Sequence, residues 1–226
     1  QKEPGNSKIH HLCVIHIYKA DFNLLIGVKW RELLHNATQI KTLHPGQHGA
    51  RPGHKATAPV FMEELKTDMS YASHKPLINC DNNATSCYDR IITAIASILG
   101  RANGLHCSIA FVHAQTLREA KYKLKTVLGV SDEYYSHCKF FPIYGTGQGS
   151  ANLPVIWTIV SSVLFEVHEA QGHGTHFTTP DQQMSVNLSM VGFVDDSTGQ
   201  VNDFLANTQP NPEQLASIIQ PSLIHT

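Results

Sequence analysis

Long apolar runs, an excess of one charge and paired cysteines are all missing from this sequence of 226 residues. No uninterrupted apolar stretch reaches the roughly 18 residues that a membrane span needs, so no membrane partner is expected. The polar opening Gln1-Lys2-Glu3-Pro4-Gly5 lacks the apolar core of a secretory signal and reads as cut from something longer. Seventeen basic and eighteen acidic residues leave a net charge of −1, so no global field draws the chain to nucleic acid; a local basic strip remains open. The five cysteines, Cys13, Cys80, Cys87, Cys107 and Cys138, form no C-x-x-C pair. That pattern points to reduced thiols and an intracellular location, cytoplasmic or nuclear, rather than a secreted disulfide framework. What is present is an apolar fraction of 42%, enough for one good-sized core or two small ones.

Periodicity predicts helices over 20–34 and 57–69, the second with Glu63, Glu64 and Lys66 on its wet side. Turn signals at His44-Pro45-Gly46 and Arg51-Pro52-Gly53 make 43–55 a loop or irregular strand. Residues 76–80 read as a buried strand running into Asp81. Asp89 opens a helix with Ile91, Ile95, Ile98 and Leu99 on one face, closed by Gly100 and Gly104. A second helix is expected over 117–128, with Arg118, Lys121 and Lys125 on a basic stripe that is either a solvated face or a phosphate-facing strip. Residues 140–144 read as a strand, 145–150 as a glycine loop, 155–167 as a buried helix and 168–176 as a flexible loop. A strand from Val186 ends at Asp195-Asp196, and Asn211-Pro212 starts a last helix. Strands and helices interleave without strict alternation, which predicts an α+β fold.

The chemistry concentrates at Phe193-Val194-Asp195-Asp196. Adjacent carboxylates at the end of an apolar strand are costly unless solvent, a cation or a divalent metal compensates them. Carboxylate oxygens suit Mg²⁺, which accepts one or two of them together with substrate phosphates. The plainer alternative is an acidic hairpin tip.

Three further segments accompany that turn in order. Gln47-His48-Gly49-Ala50-Arg51-Pro52-Gly53 resembles the fingers motif of reverse transcriptases, Q-aromatic-G-F-R-x-G. Asn83-Ala84-Thr85-Ser86-Cys87-Tyr88-Asp89-Arg90 resembles the first palm motif. Gly145-Thr146-Gly147-Gln148-Gly149-Ser150 with Pro154 resembles the palm motif G-x-x-Q-G, and 193–196 resembles the aromatic-x-D-D turn. The resemblance spans about residues 8–204 and has the flavour of retrotransposon, non-LTR enzymes rather than retroviral ones. It implies a right-hand polymerase: fingers-like residues 1–75, then a palm, 76–226, of antiparallel strands backed by helices and truncated after the Asp-Asp turn, with the thumb absent. It implies RNA-directed DNA synthesis on a primed RNA or DNA template from deoxynucleoside triphosphates, with two Mg²⁺ or Mn²⁺ ions. Asp195 would be the main metal ligand, Asp196 its support, and Asp81 a further ligand. Arg51 would hold triphosphate oxygens, Gln148 and Gly149 would line the nucleotide and template pocket, and Tyr88 would screen the sugar 2′ position or simply fill core. The thumb and further domains of a longer polyprotein would be missing partners.

Two departures bear on activity. The family's first catalytic aspartate falls at Asn83, and Asp81 lies two residues earlier, about 7 Å away at strand rise. Metal bonds of about 2.1 Å do not tolerate that displacement without backbone movement, so either a rearranged site using Asp81 or an impaired one is expected, and impairment is favoured. Cys13 stands where the family commonly has a basic residue. His48 and Ala50 replace the usual aromatics. The main alternative is a non-catalytic nucleic-acid-binding remnant of a mobile-element polymerase. A zinc hydrolase built on His168, His173 and His176 has the wrong spacing for H-E-x-x-H, and Gly145-x-Gly147-x-Gly149 is not a dinucleotide fingerprint.

Overall fold

The computed structural model describes residues 15–84, 86–139, 144–179, 181–194 and 196–201. Its elements in chain order are α1 (Ala20–Gln39), α2 (Thr57–Ala72), β1 (Ile78–Asn83), α3 (Cys87–Arg90), α4 (Thr93–Ala102), α5 (Cys107–Glu119), β2 (Lys121–Tyr122), β3 (Lys125–Thr126), β4 (Gly129–Val130), β5 (Tyr135–Ser136), α6 (Leu153–Ala170), β6 (Thr175–Thr178), β7 (Ser185–Leu188), β8 (Met190–Phe193) and β9 (Asp196–Val201). Helices and small antiparallel sheets are intermixed, so the fold is α+β, as the sequence predicts. By contact the chain forms two units, one of residues 1–33 and 86–156, the other of 34–85 and 157–226. That grouping follows contacts, whereas the fingers and palm portions named above divide the chain in order. Cys13, residues 140–143 of the expected strand and the helix after Asn211 lie outside the described residues.

In the first unit α4 packs on α5, and Ile26, Trp30, Ile91, Ala96, Leu105 and Ala110 are buried. Trp30 meets the buried His113 ring edge-on at 5.7 Å, and Asn152 Nδ2 donates to His113 Nε2 at 3.1 Å. The helix expected from Asp89 is two helices, because Ile91 and Ile92 are extended (ψ 123° and 115°). Gly100 does not close α4 but lies inside it, where an added Cβ would stand 2.8 Å from the Trp30 ring. The expected helix over 117–128 is also corrected. α5 stops at Glu119, Ala120 turns extended, and the basic stripe continues into the short ladders β2–β5 and β3–β4. Tyr122, Val127 and Val130 favour strand over helix, and Gly129 (φ 133°) supplies the bend, so local pairing overrides the apolar stripe.

The second unit holds a three-stranded antiparallel sheet in the order β1-β9-β8, with Asn83 opposite Asp196, Asp81 opposite Thr198, and Phe193 opposite Asp196 on the other side. The single strand expected from Val186 to the acids is two strands with different partners: β7 pairs with β6, and β8 with β9. His176 sits in β6 rather than in a loop. Lys66, expected on the wet side of α2, is 0% exposed. Its Nζ donates to Glu63 Oε1 at 3.1 Å, and this pairing offsets part of the cost of burying an ammonium. Helix α6 has 18 residues and a mean hydropathy of 1.3, long and apolar enough to cross a membrane by length and composition. It carries the buried Ile159 and Phe165 together with the buried Ser161 and Ser162, as the central helix of a packed core does.

Candidate active site

The sheet β1-β9-β8 alternates its residues between two faces. Register places Met190 and Gly192 on one face with Ser197, Gly199, Cys80 and Asn82. That face meets α6: a Cβ on Gly192 would stand 2.7 Å from Phe165 Cζ. On the opposite face lie Asp81, Asn83, Asp196 and Thr198. Asp81, Asn83 and Asp196 are all exposed. Asn83 faces Asp196 directly, so their side chains leave the sheet side by side. Asp81 stands one pair further along, diagonal to Asp196. Thr198 Oγ1 donates to Asp81 Oδ1 at 2.9 Å, which fixes one carboxylate oxygen and leaves the other to solvent. Asp195 lies outside the described residues.

The bend between β8 and β9 is tight, because Phe193 and Asp196 pair and only two positions separate them. Val194, the first of the two, has φ 59°. A β-branched residue rarely adopts that left-handed backbone, and the cost is on the order of 1–3 kcal/mol. Surrounding contacts hold it there. The Trp157 indole N–H donates to the Val194 carbonyl, and the chain at Gly49 packs so closely on Val194 that a Cβ there would collide with its backbone.

Gly49 belongs to the loop matched to the fingers motif, and that loop docks along the edge of β8. Gly192 N–H donates to Gly46 O at 2.9 Å, and His48 N–H to Gly192 O at 2.8 Å. Gln47, fully buried, donates from Nε2 to Ser161 Oγ at 2.6 Å and accepts the Gly49 N–H at 2.7 Å, while Thr158 Oγ1 donates to Gly49 O at 2.8 Å. The motif glutamine is thus a clamp between loop, hairpin and α6. Sequence reading gave no role to Gln47, Trp157, Thr158 or Ser161; the recurrence of hydroxyls along an apolar helix was the available signal.

Arg51 is half-buried. Its Nη1 donates to the carbonyls of Gln47 (2.9 Å) and His44 (3.1 Å), so part of the guanidinium closes its own loop. Burial lowers its pKa somewhat from the ordinary value. Beside it the His48 and His54 rings lie 5.0 Å apart, tilted by 52°; burial, His54 and Arg51 lower the pKa of His48, and burial and Arg51 lower that of His54. Behind Asp81 stands the Glu63–Lys66 pair. Burial pushes the Glu63 carboxyl up, Lys66 opposes that, and Asp81 adds to it; burial pushes the Lys66 ammonium down, with Glu63 opposing. Neither residue figured in the sequence expectation as part of the acidic face.

Tyr88, Gln148 and Gly149 belong to the other unit. Tyr88 is half-buried in α3, and its carbonyl accepts the Thr146 N–H at 3.2 Å. Gln148 O accepts the His16 N–H at 2.6 Å. Gly147 (φ 78°) lies against the Tyr18 hydroxyl and Gly149 (φ 113°) against the His16 carbonyl, too close for any Cβ. The glycines of this loop therefore admit the chain's own residues 16–18.

The histidine-rich stretch does not form a metal centre. The His168 and His173 rings lie 4.9 Å apart, tilted by 38°, His44 Nε2 pairs with Glu169 Oε2 at 2.9 Å, and His176 stands in β6. Among the described residues no group of three or more His, Cys, Asp or Glu is arranged to hold an ion.

No protein-family model and no curated protein matches the chain. Among solved structures, the chain is similar to telomerase from Candida albicans, determined in complex with the TWJ fragment of telomeric RNA. The TM-score is 0.45 at 11% identity, over 88% of this chain and 32% of that one, so this chain spans about a third of the telomerase length. A likeness of that size assigns no family and no activity.

Proposed function

We propose that the chain is a reverse-transcriptase-type polymerase domain, fingers and palm, whose acidic face of Asp81, Asn83 and Asp196, next in sequence to Asp195, is impaired for catalysis by the amide at position 83. The observation that carries this reading is the register of β1 on β9, which sets Asn83 opposite Asp196 and Asp81 on the same exposed face. Carbon-copy hairpins with acidic tips are common, but an acidic tip alone does not require a second strand that brings a carboxylate to its side.

The donors on this face are oxygens only, exposed on one side, with positions left for water and substrate phosphate. That chemistry fits Mg²⁺ or Mn²⁺ and disfavours zinc. Asp81, Asp196 and the Asn83 amide oxygen would hold the ion, with Asp195 expected to join them. The amide contributes one oxygen but no charge, so the face is one carboxylate short for the two ions that the reaction class uses. When bound, the metal pair supplies a lowered pKa at the primer 3′-hydroxyl and neutralisation of the departing pyrophosphate. The protein's own part is positional. Thr198 holds the Asp81 rotamer, the Gln47 clamp fixes the hairpin, and the Arg51 Nη2 group, with Nη1 closing the loop and Nε buried, would serve triphosphate oxygens. The motif roles of Tyr88, Gln148 and Gly149 in nucleotide and template contact, an intracellular setting, and a primed RNA or DNA template with deoxynucleoside triphosphates belong to the same proposal.

Primer extension on primed RNA and DNA templates, in Mg²⁺ and in Mn²⁺, tests it. Asn83→Asp should raise extension by on the order of a hundredfold or more over the native chain, the scale lost when one charge-stabilising group is removed. Asp195→Ala in the same background should abolish the gain. Firm primer–template binding without extension in Asn83→Asp would instead establish the non-catalytic remnant.

A further inference from the structure

We propose that the hairpin from Lys121 to Ser136 is a binding platform for single-stranded nucleic acid. The inference rests on this hairpin alone and not on the polymerase reading. The hairpin is built by two short ladders, Lys121↔Ser136 with Tyr122↔Tyr135, and Lys125↔Val130 with Thr126↔Gly129. Between them Ser131 N–H donates to Leu124 O at 2.8 Å and Leu124 N–H to Ser131 Oγ at 3.0 Å, so the arm is ordered rather than slack.

Its two faces differ. On one, Tyr122 and Tyr135 stack at 5.3 Å, and Tyr122 meets His16 edge-on at 4.9 Å and Tyr18 at 6.5 Å. This aromatic column seats the arm against residues 16–18, and these in turn lie on Gly147 and Gly149. On the other face Lys121 stands opposite Ser136, and Tyr134, 63% exposed, follows two positions along. Lys123 Nζ stands 4.7 Å from the centre of that ring. Lys125 follows on the exposed ladder.

An exposed tyrosine flanked by lysines spaced two residues apart is the chemistry that a single strand recognises. Bases stack on an aromatic ring regardless of their identity, while ammonium groups at strand spacing track the phosphates. Charge favours the same occupant. Within 121–136 Lys121, Lys123 and Lys125 outnumber Asp132 and Glu133, a local excess of one positive charge in a chain of net −1. A duplex offers no open base to Tyr134, so the platform selects unpaired strands. The basic stripe seen in the sequence, on an expected helix, thus acquires a function only because the chain folds there as a hairpin.

The test is fluorescence anisotropy of a labelled oligo(dT) and an oligo(U) of about 20 nucleotides with the full chain, without nucleotides or metal. Tyr134→Ala should weaken binding between about 5- and 100-fold, the range for one lost base stack, with the salt dependence unchanged. Tyr134→Trp should restore affinity, and the emission of the new indole should be quenched on binding. Lys121→Ala with Lys123→Ala should lower the slope of log K against log salt by about 1.4, which is about 0.7 per lost contact on a single strand. Lys41→Ala with Lys55→Ala, also exposed and outside residues 121–136, should change neither quantity. All these side chains are surface groups, and unchanged circular dichroism checks folding. Equal affinity of all variants overturns the proposal. So does a duplex bound as tightly as the single strand, or polyglutamate competing as well as the oligonucleotide, which would assign the surface to an acidic protein instead.

Discussion

Restoring the missing acid should reveal itself in stability before any catalysis is measured. In Asn83→Asp the new carboxylate stands directly opposite Asp196, where facing Cβ atoms are about 5 Å apart, and next to Asp81 on its own strand face. Two unit charges at about 5 Å repel by about 0.8 kcal/mol in water and by about 3 kcal/mol at the effective dielectric of a protein surface. Since the face is exposed, the lower figure governs, and the variant should lose about 1 kcal/mol without metal. For a chain of this size that lowers Tm by about 2–4 °C. A divalent ion reverses the sign, because carboxylates that repel each other become its ligands. At a Mg²⁺ concentration ten times the dissociation constant, binding to the folded state adds about 1.4 kcal/mol and more than recovers the loss. Differential scanning fluorimetry in EDTA and across a Mg²⁺ series reads both limbs, with Asn83→Ala as the neutral control. If Asn83→Asp melts with the native chain in EDTA, the two side chains do not share a face. If it melts lower in EDTA and Mg²⁺ alike, the face does not gather a cation, and the polymerase reading loses its physical basis.

The buried His113 should make the fold sensitive to acid. Burial holds its pKa at about 4 against 6.5 in the unfolded chain, so between those values the unfolded state takes the proton first. Stability is therefore complete above pH 6.5 and falls by up to about 3 kcal/mol as pH drops to about 4; urea midpoints against pH should show this fall and His113→Gln should flatten it, whereas an NMR titration near 6.5 refutes it. Lys66→Met should cost up to about 3 kcal/mol, the low end for a broken buried pair because Glu63 is only part-buried, and Lys66→Met with Glu63→Leu should regain most of it. A double-mutant cycle by urea denaturation checks the pair, and additive losses would show that the two are not coupled. Gly192→Ala should cost about 1–3 kcal/mol by pressing on Phe165, with Phe165→Leu as the compensating change; no loss on melting the alanine variant would mean that α6 does not back the hairpin so tightly.

The elements easiest to read in the sequence were those whose own periodicity decides them. Helices α1, α2 and α6 are found within a few residues of their expected positions, and the α+β class follows from their interleaving with short strands. The errors share one cause. From 117 to 128 the apolar stripe suited a helix, but Tyr122, Val127 and Gly129 made a local hairpin available, and periodicity carries no information about pairing. Lys66 looked solvated because charge on a helix usually is; its burial depends on Glu63 one turn earlier and on packing invisible to any window of sequence. In the candidate site, motif order pointed to segments 47–53, 83–90, 145–150 and 193–196; the sheet register and the Gln47 clamp bring 47–49 and 81–83 to the β8–β9 hairpin, while Tyr88 and 145–150 belong to the other unit. The partners of Arg51 could not be foreseen, because they are carbonyls of its own loop, which have no sequence signature.

The site's frame and its charge are separable. The frame is costly: a left-handed Val194, a fully buried Gln47 and a hydroxyl-bearing core helix all serve to hold one hairpin bend against one strand. None of these features would be required by an acidic loop that merely keeps the chain soluble, since an exposed tip relaxes to whatever backbone is cheapest. Strain that is over-determined by its surroundings is characteristic of positions where geometry matters to function. The charge, by contrast, hangs on a single atom pair: an amide nitrogen at Asn83 where a carboxylate oxygen would complete the face. An amide in place of a carboxylate lowers the charge of this face while leaving every contact of the frame intact, because Asn83 is exposed and the ladder is made by backbone. On the proposed reading such a chain would keep its frame without its chemistry, and one substitution at an exposed position is enough to tell the two apart.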